Sequence, residues 1–510
     1  MENAKKIWVK TVSLPHPSLK NNTADADRLM QELKKELKTE SVYIDFNLLK
    51  KLPDYIRQLN YNVSSVLFKE MDNWVVLGIK SLDDPKPFLG LSVDLGTTTV
   101  VIRIIDLLTT KTVSETSFNN PQIEIAPDIL ARIHFADTNN GLKTINRLII
   151  DELNNQISKL CDPEDIYLIS LAGNTAMTHL FMGLNPHWII REPYIPVINN
   201  PGVLKASDLG LIVNPSARIL IFPNIGSYFG GDLIAGILFS GLHKKEETAI
   251  LVDVGTNAEV VLGNKNWLIA CAGAAGPALE GGVTRMGMMA GPGVIDRFSI
   301  NPKTGEFNIH TINNLKPKGI CGSGLIDLAA HLFISGMIDI RGKFVPSICG
   351  DKLKEKDGIK YLIVVPSVES SAGDDLIISQ VDIDSLIRSK AAMYTILETI
   401  TMMVGMTPLD IPMFYVAGTF GAFINPKSAI SIGMLPDLPI DKYLAIGNSS
   451  LEGATIALTS TEYMEEIIKI RDSITYIELN VNQEFMNRFS AAKFLPHTNK
   501  SLFPSVICHS

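Results

Sequence analysis

The sequence predicts an α/β protein with two similar lobes facing a cleft, preceded by a small N-terminal α/β domain. Three observations predict it. "VDLGTTTVV" from Val93 and "VDVGTNAEVV" from Val252 place an Asp, a Gly and Thr at the end of an apolar strand twice. From Phe88 onward apolar strands alternate with helical stretches and glycines cluster where strands end, the pattern of a layered α/β architecture. At 510 residues the chain exceeds what one hydrophobic core supports, so two or three domains are expected.

The first domain is read over 1–86. "ADADRLMQELKKELKTE" spaces Leu29, Leu33 and Leu37 four apart behind acidic residues, as an amphipathic helix does. "SVYIDF" reads as a strand, "PDYIRQL" as a short helix, and "SSVLFKEMDNWVVLGI" as two strands joined by a polar turn. "SLDDPKP" then supplies the prolines and charges of a boundary. The first lobe spans 87–246. The charged "KKEE" at Lys244–Glu247 marks the seam, and the second lobe spans 247–510.

Bulk properties exclude several classes. Apolar residues make up 46% and charged residues 20%, ordinary for a soluble globular protein. A net charge of −8 argues against a general electrostatic grip on nucleic acid. "MENAKKIWVK" lacks the apolar stretch of a signal peptide, and no run of about 18 apolar residues suggests a membrane span. Five cysteines lie scattered at Cys161, Cys271, Cys321, Cys349 and Cys508. Their spacing fits neither a disulfide framework nor an iron–sulfur cluster, so a reducing, cytoplasmic location is expected. The nine histidines show no metal-binding spacing.

The repeated turn carries the chemistry. In "LGLSVDLGTTTVVIRIIDL" the apolar residues flanking the turn make a hairpin. Gly96 allows a backbone that a Cβ would forbid. Successive N–H groups there form an anion-binding nest, and Thr97, Thr98 and Thr99 add hydroxyl donors. Hydrogen bonds to a charged phosphate are worth roughly 1.5–3 kcal/mol each, more than the roughly 0.5–1 kcal/mol a strand glycine costs. The plainer alternative is a tight hairpin whose Asp and Thr satisfy local backbone groups. Repetition favours ligand binding: if the lobes face each other, Asp94 and Asp253 would repel unless a cation or a proton lay between them, and hydrated magnesium bound to nucleotide phosphates meets that need. No P-loop and no GxGxxG after a strand competes.

Other loops join this reading. "GICGSGLIDL" sets Gly322, Ser323 and Gly324 at the mouth of an apolar helix, and "FYVAGTFGAF" sets Gly418 and Gly421 where a strand ends. Helix N-termini attract anions and the polar edges of nucleotides, although packing glycines would look the same. "LAGNTAM" puts Asn174 at a strand end facing the cleft. Asp128 and Arg132, spaced i, i+4, read as a surface ion pair. Cys321 reads as a small buried residue and His179 as a packed or hydrogen-bonded one. Asp232 starts a helix, where an acid favours the dipole. A general-base role for it belongs to a kinase alternative.

Two VDxGT turns with later glycine pairs resemble the sugar kinase, heat-shock chaperone and actin (ASKHA) superfamily of ATP-binding folds. "AGNTAMTHLFMGLNP", "REPYIPV", "ACAGAAGPALEGG", "KGICGSGLIDL", "VAGTFGAFINP" and "IGNSSLEGA" narrow the resemblance to the reductive activators of corrinoid proteins, over nearly the whole chain. That resemblance implies duplicated actin-like ATPase lobes and ATP-dependent reduction of cobalt(II) to cobalt(I) in a corrinoid protein of a methyltransferase system. It assigns nucleotide or metal contacts to Asp94, Gly96, Thr97, Thr98, Asp253, Gly255, Thr256 and Asn257, with magnesium on Asp94 and Asp253. Gly322, Ser323, Gly324, Gly418 and Gly421 would enclose the adenosine, and Asn174 would couple nucleotide state to the partner. Many members carry a ferredoxin domain, and the cysteines here supply no such cluster. A separate ferredoxin-like donor is therefore expected, with no bound iron–sulfur cluster; a homodimer is compatible with the sequence. The rivals are a small-molecule kinase of the same superfamily and an ATP-dependent remodeller without redox chemistry.

Overall fold

The computed structural model describes residues 8–70, 72–227, 229–255, 258–273, 284–418, 424–477, 479 and 483–506. The chain forms two compact units, Met1–Phe239 with Ser449–Ser473, and Ser240–Asn448 with Ile474–Ser510.

The first unit opens with a four-stranded sheet in the order Val9–Ser13, Asn62–Glu70, Asn73–Lys80, Val42–Ile44. Helices Asp25–Leu37 and Leu52–Gln58 form where the sequence predicts them. Leu29 and Leu33 of the first are buried with Leu52 and Ile56 of the second in one core against this sheet. The other face buries Trp8, Phe68 and Leu77 against Phe88, Tyr167 and Leu458. Strands covered on both faces read as unbroken apolar runs, which explains "SVLF" and "VVLGI".

The larger sheet of this unit runs Thr112–Asn119, Thr99–Asp106, Leu89–Leu95, Ile166–Gly173, Arg218–Ile221, Gly202–Lys205. The Asp94 strand is antiparallel to its hairpin partner and parallel to Ile166–Gly173. In the second unit the sheet runs Tyr443–Gly447, Phe414–Ala417, Ala249–Val254, Ala258–Asn264, Trp267–Gly273, Ile474–Ile477. The Asp253 strand again has an antiparallel hairpin partner on one side and a parallel strand on the other. Both sheets thus share a three-stranded meander followed by two parallel strands. The repeated turn marks a repeated topology. No helix of the described residues is long and apolar enough to cross a membrane.

Candidate nucleotide-binding turns

In the first unit every residue of Leu89–Leu95 is buried except Asp94, which is partly exposed at the strand end. Leu95 pairs with Val100 across the turn. Gly96 is required by space: a Cβ there would lie 2.2 Å from the Thr99 carbonyl oxygen. Three consecutive turn carbonyls are held by donors of the same unit. Asn120 Nδ2 donates to Gly96 O at 2.9 Å, Arg132 Nη2 to Thr97 O at 2.7 Å, and the Asn120 N–H to Thr98 O at 2.8 Å. The N–H of a trans peptide points opposite to its C=O. Fixing these carbonyls therefore turns the Thr97 and Thr98 amides the other way, the arrangement an anion needs.

Two side chains approach the turn from elsewhere in the same unit. Asn174 caps helix Thr175–Met182 by accepting from Met177 N at 2.9 Å and donates through Nδ2 to Thr97 Oγ1 at 3.1 Å. Ser450, on helix Ser449–Ala457, donates to Asp94 Oδ1 at 2.7 Å. Arg103 holds that helix on the sheet through Glu452, at 2.7 Å and 3.0 Å. A Cβ on Gly230 would fall 2.4 Å from Asn174 Cα and 2.6 Å from Asp232 Oδ1, so Asp232 lies beside Asn174. Its Oδ1 also accepts from Leu233 N at 2.9 Å at the start of helix Gly231–Ser240.

In the second unit Asp253 is partly exposed beside buried Val252 and Val254. Its parallel neighbour is Ala417. Gly418 follows with φ +81°, and a Cβ there would lie 2.8 Å from Asp253 Oδ1. A side chain at this position would therefore press on the carboxylate. Gly255 is partly exposed after the strand. Thr256, Asn257 and Gly421 lie outside the described residues. Gly322, Ser323 and Gly324 are buried at the start of helix Gly322–Ile334, with Cys321 as N-cap. Ser323 Oγ donates to Asp296 O at 3.1 Å, and a Cβ on Gly324 would meet Ile295 O at 2.5 Å. Gly324 therefore serves close packing of the helix on its neighbouring strand.

One expectation is overturned. Asp128 and Arg132 are not a surface ion pair: Asp128 caps helix Ile129–Ala136 through Ala131 N, and Arg132 is fully buried. The shared helix face that i, i+4 spacing supplies is turned inward here, where carbonyls take the guanidinium. His179 is packed and hydrogen-bonded as expected, Nδ1 on Thr175 O at 2.7 Å and Nε2 accepting from Val197 N at 3.1 Å. Sequence reasoning missed the roles of Ser450, Asn120 and Arg132. Ser450 lies inside "IGNSSLEGA", but nothing in that stretch names the carboxylate it serves.

Comparison with known proteins gives this geometry a family. The model for the C-terminal ASKHA domain of RACo matches residues 247–507, that for the RACo middle region 89–245, and that for the RACo linker region 1–84. The chain belongs to the RACo family of reductive activators of corrinoid proteins. A solved RACo-type structure, a reductive activator for corrinoid, iron-sulfur protein, superposes with a TM-score of 0.89 at 36% identity, over 99% of this chain and 82% of that one. The corrinoid activation enzyme RamQ of Eubacterium limosum is 31% identical over 89% of this chain and 80% of its own. A reductase of the Co(II) methylated amine-specific corrinoid protein in Methanosarcina barkeri is 24% identical over 78% of this chain and 75% of its own. The fold is therefore the actin-like ASKHA fold of RACo.

Proposed function

We propose that this protein is an ATP-dependent reductive activator that returns a corrinoid protein from cobalt(II) to cobalt(I) in a methyltransferase system. The observation that carries the proposal is the Asp94–Thr99 turn of a RACo-family chain. Its three carbonyls are held by Asn120 and Arg132, and its carboxylate and threonine are set by Ser450 and Asn174. The amides of Thr97 and Thr98 with the hydroxyls of Thr97, Thr98 and Thr99 receive phosphate oxygens. Gly255, Thr256 and Asn257 do the same at the second turn. Asp94 and Asp253 are the residues that would hold magnesium, which would supply charge neutralisation on the phosphates. Gly322, Ser323, Gly418 and Gly421 border the adenosine, while Gly324 packs the helix of Gly322 and Ser323 on its strand, and Asn174 couples the nucleotide state to the partner.

Electrons come from a separate iron–sulfur protein, in keeping with five cysteines spread from Cys161 to Cys508. For one electron, each 59 mV of uphill potential corresponds to about 1.4 kcal/mol. ATP contributes only through a difference in affinity for two states of the partner. About 5.5 kcal/mol of such difference moves an equilibrium from 1:99 to 99:1. Nucleotide binding favours the form that grips the corrinoid protein, and hydrolysis releases it.

The test mixes purified protein, ATP, Mg²⁺, a reduced ferredoxin and a candidate corrinoid protein, and follows the cobalt(I) absorbance. Cobalt(I) formation that requires ATP is expected, and Asp94→Asn should abolish it. A phosphorylated small molecule in place of cobalt(I) would support the kinase reading instead. ATP-dependent partner binding without any redox change would leave only the remodeller.

A further inference from the structure

Arg132 is fully buried, and its hydrogen-bond partners among the described residues are all neutral. Nε donates to Ala126 O at 3.1 Å, Nη1 to Gln122 Oε1 and Met177 Sδ at 3.1 Å each, and Nη2 to Thr97 O at 2.7 Å. Asp128, one helical turn back, caps its own helix through Ala131 N and acts on the guanidinium through its charge alone. Gln122, also buried, is fixed by Nε2 on Ile145 O at 3.0 Å. A buried cation that no carboxylate hydrogen-bonds is costly, and this one donates to the Thr97 carbonyl of the Asp94–Thr99 turn. Burial lowers the guanidinium pKa to about 10, which leaves it charged at neutral pH.

We propose that Arg132 is a positioning residue for the nucleotide's phosphates. Its Nη2–Thr97 bond fixes the Thr97–Thr98 peptide so that the Thr98 N–H points away from Arg132, and its charge, which Asp128 meets without a hydrogen bond, is further satisfied by the phosphate chain. This rests on the reading of the Asp94–Thr99 turn as the phosphate site. A structural role alone would predict the same folding defect but no selectivity for phosphate.

Two variants of the full chain separate the components. Arg132→Lys keeps the charge and loses the planar fork. Gln122→Glu sets a carboxylate against Nη1 without touching the Nη2–Thr97 bond, pairing the charge at the expense of the Nε2 bond to Ile145 O. Calorimetry with Mg-ATP and with adenosine is the readout, and circular dichroism checks folding. Each variant should weaken Mg-ATP binding by about tenfold and leave adenosine within about twofold. Equal losses for both ligands would make Arg132 structural and overturn the proposal, as would Mg-ATP binding unchanged in both variants. If Arg132→Lys does not fold, Gln122→Glu decides alone. A wild-type chain that binds adenosine and ATP equally well would instead sink the phosphate reading of the turn, and this inference with it.

Discussion

Asp94 receives a hydroxyl donor from a residue 356 positions later, Ser450. Ser450→Ala removes that donor and little else, since its helix is held independently by Arg103 and Glu452. A hydrogen bond to a charged group that water partly replaces is worth about 1 kcal/mol. The half-saturating Mg²⁺ concentration in an ATPase titration should therefore rise roughly fivefold, with the melting temperature nearly unchanged. His179 carries a pH prediction. Burial lowers its pKa below the usual 6.5, against a smaller upward pull from Thr175 O. A histidine depressed in the folded state contributes stability above its unfolded pKa and loses it as pH falls toward the folded value. Protonation would also set a second N–H at Nε2 against the Val197 N–H. Hydrogen exchange at the Val197 amide should accelerate as pH drops below about 6.5, beyond the intrinsic exchange trend, and His179→Gln should flatten that excess.

The strand–turn–strand elements show which glycines the site needs. Gly418 combines φ +81° with a missing Cβ that would press on Asp253 Oδ1 at 2.8 Å, whereas Gly358, at φ +74°, faces open space. Both Gly418→Ala and Gly358→Ala should cost about 1–2 kcal/mol of stability from left-handed backbone strain, read by urea denaturation. Only Gly418→Ala should also weaken Mg-ATP binding, because only there does the new methyl meet the carboxylate. At this scale much was legible in advance. The hairpin around Gly96, the strand ending at Ala417 and the helix opening at Gly322 follow from local apolar runs broken by glycine. The helix of Arg132 was legible too, but not its direction. Spacing fixes which residues share a helix face, and only packing decides whether that face meets water.

At the scale of the whole chain, the small N-terminal sheet is bonded into the first unit. Asp45 Oδ2 accepts from Arg218 Nη2 at 3.0 Å, and Glu70 also receives the Arg218 guanidinium. Trp8 Nε1 donates to Leu458 O at 2.9 Å, and a Cβ on Gly78 would strike the Tyr167 ring at 2.3 Å. Removing one partner of a buried ion pair costs up to about 3–5 kcal/mol, and here Asp45 would keep only Lys205, at 3.8 Å, as a cation among the described residues. Arg218→Met should therefore lower the urea midpoint strongly, and Asp45→Asn combined with it should recover part of the loss.

The sequence by itself determined the repeated Asp-Gly-Thr turn, the α/β layering and the family motifs, because each is written in residues a few positions apart. Tertiary structure alone decided that Ser449–Ser473 belongs with the first unit rather than with the sheet preceding it in the chain. It also brought Ser450 to Asp94 and put a buried guanidinium on the Thr97 carbonyl. Those three facts depend on contacts between distant segments, and such contacts are selected by burial and hydrogen-bond satisfaction of the whole fold, which no local pattern encodes.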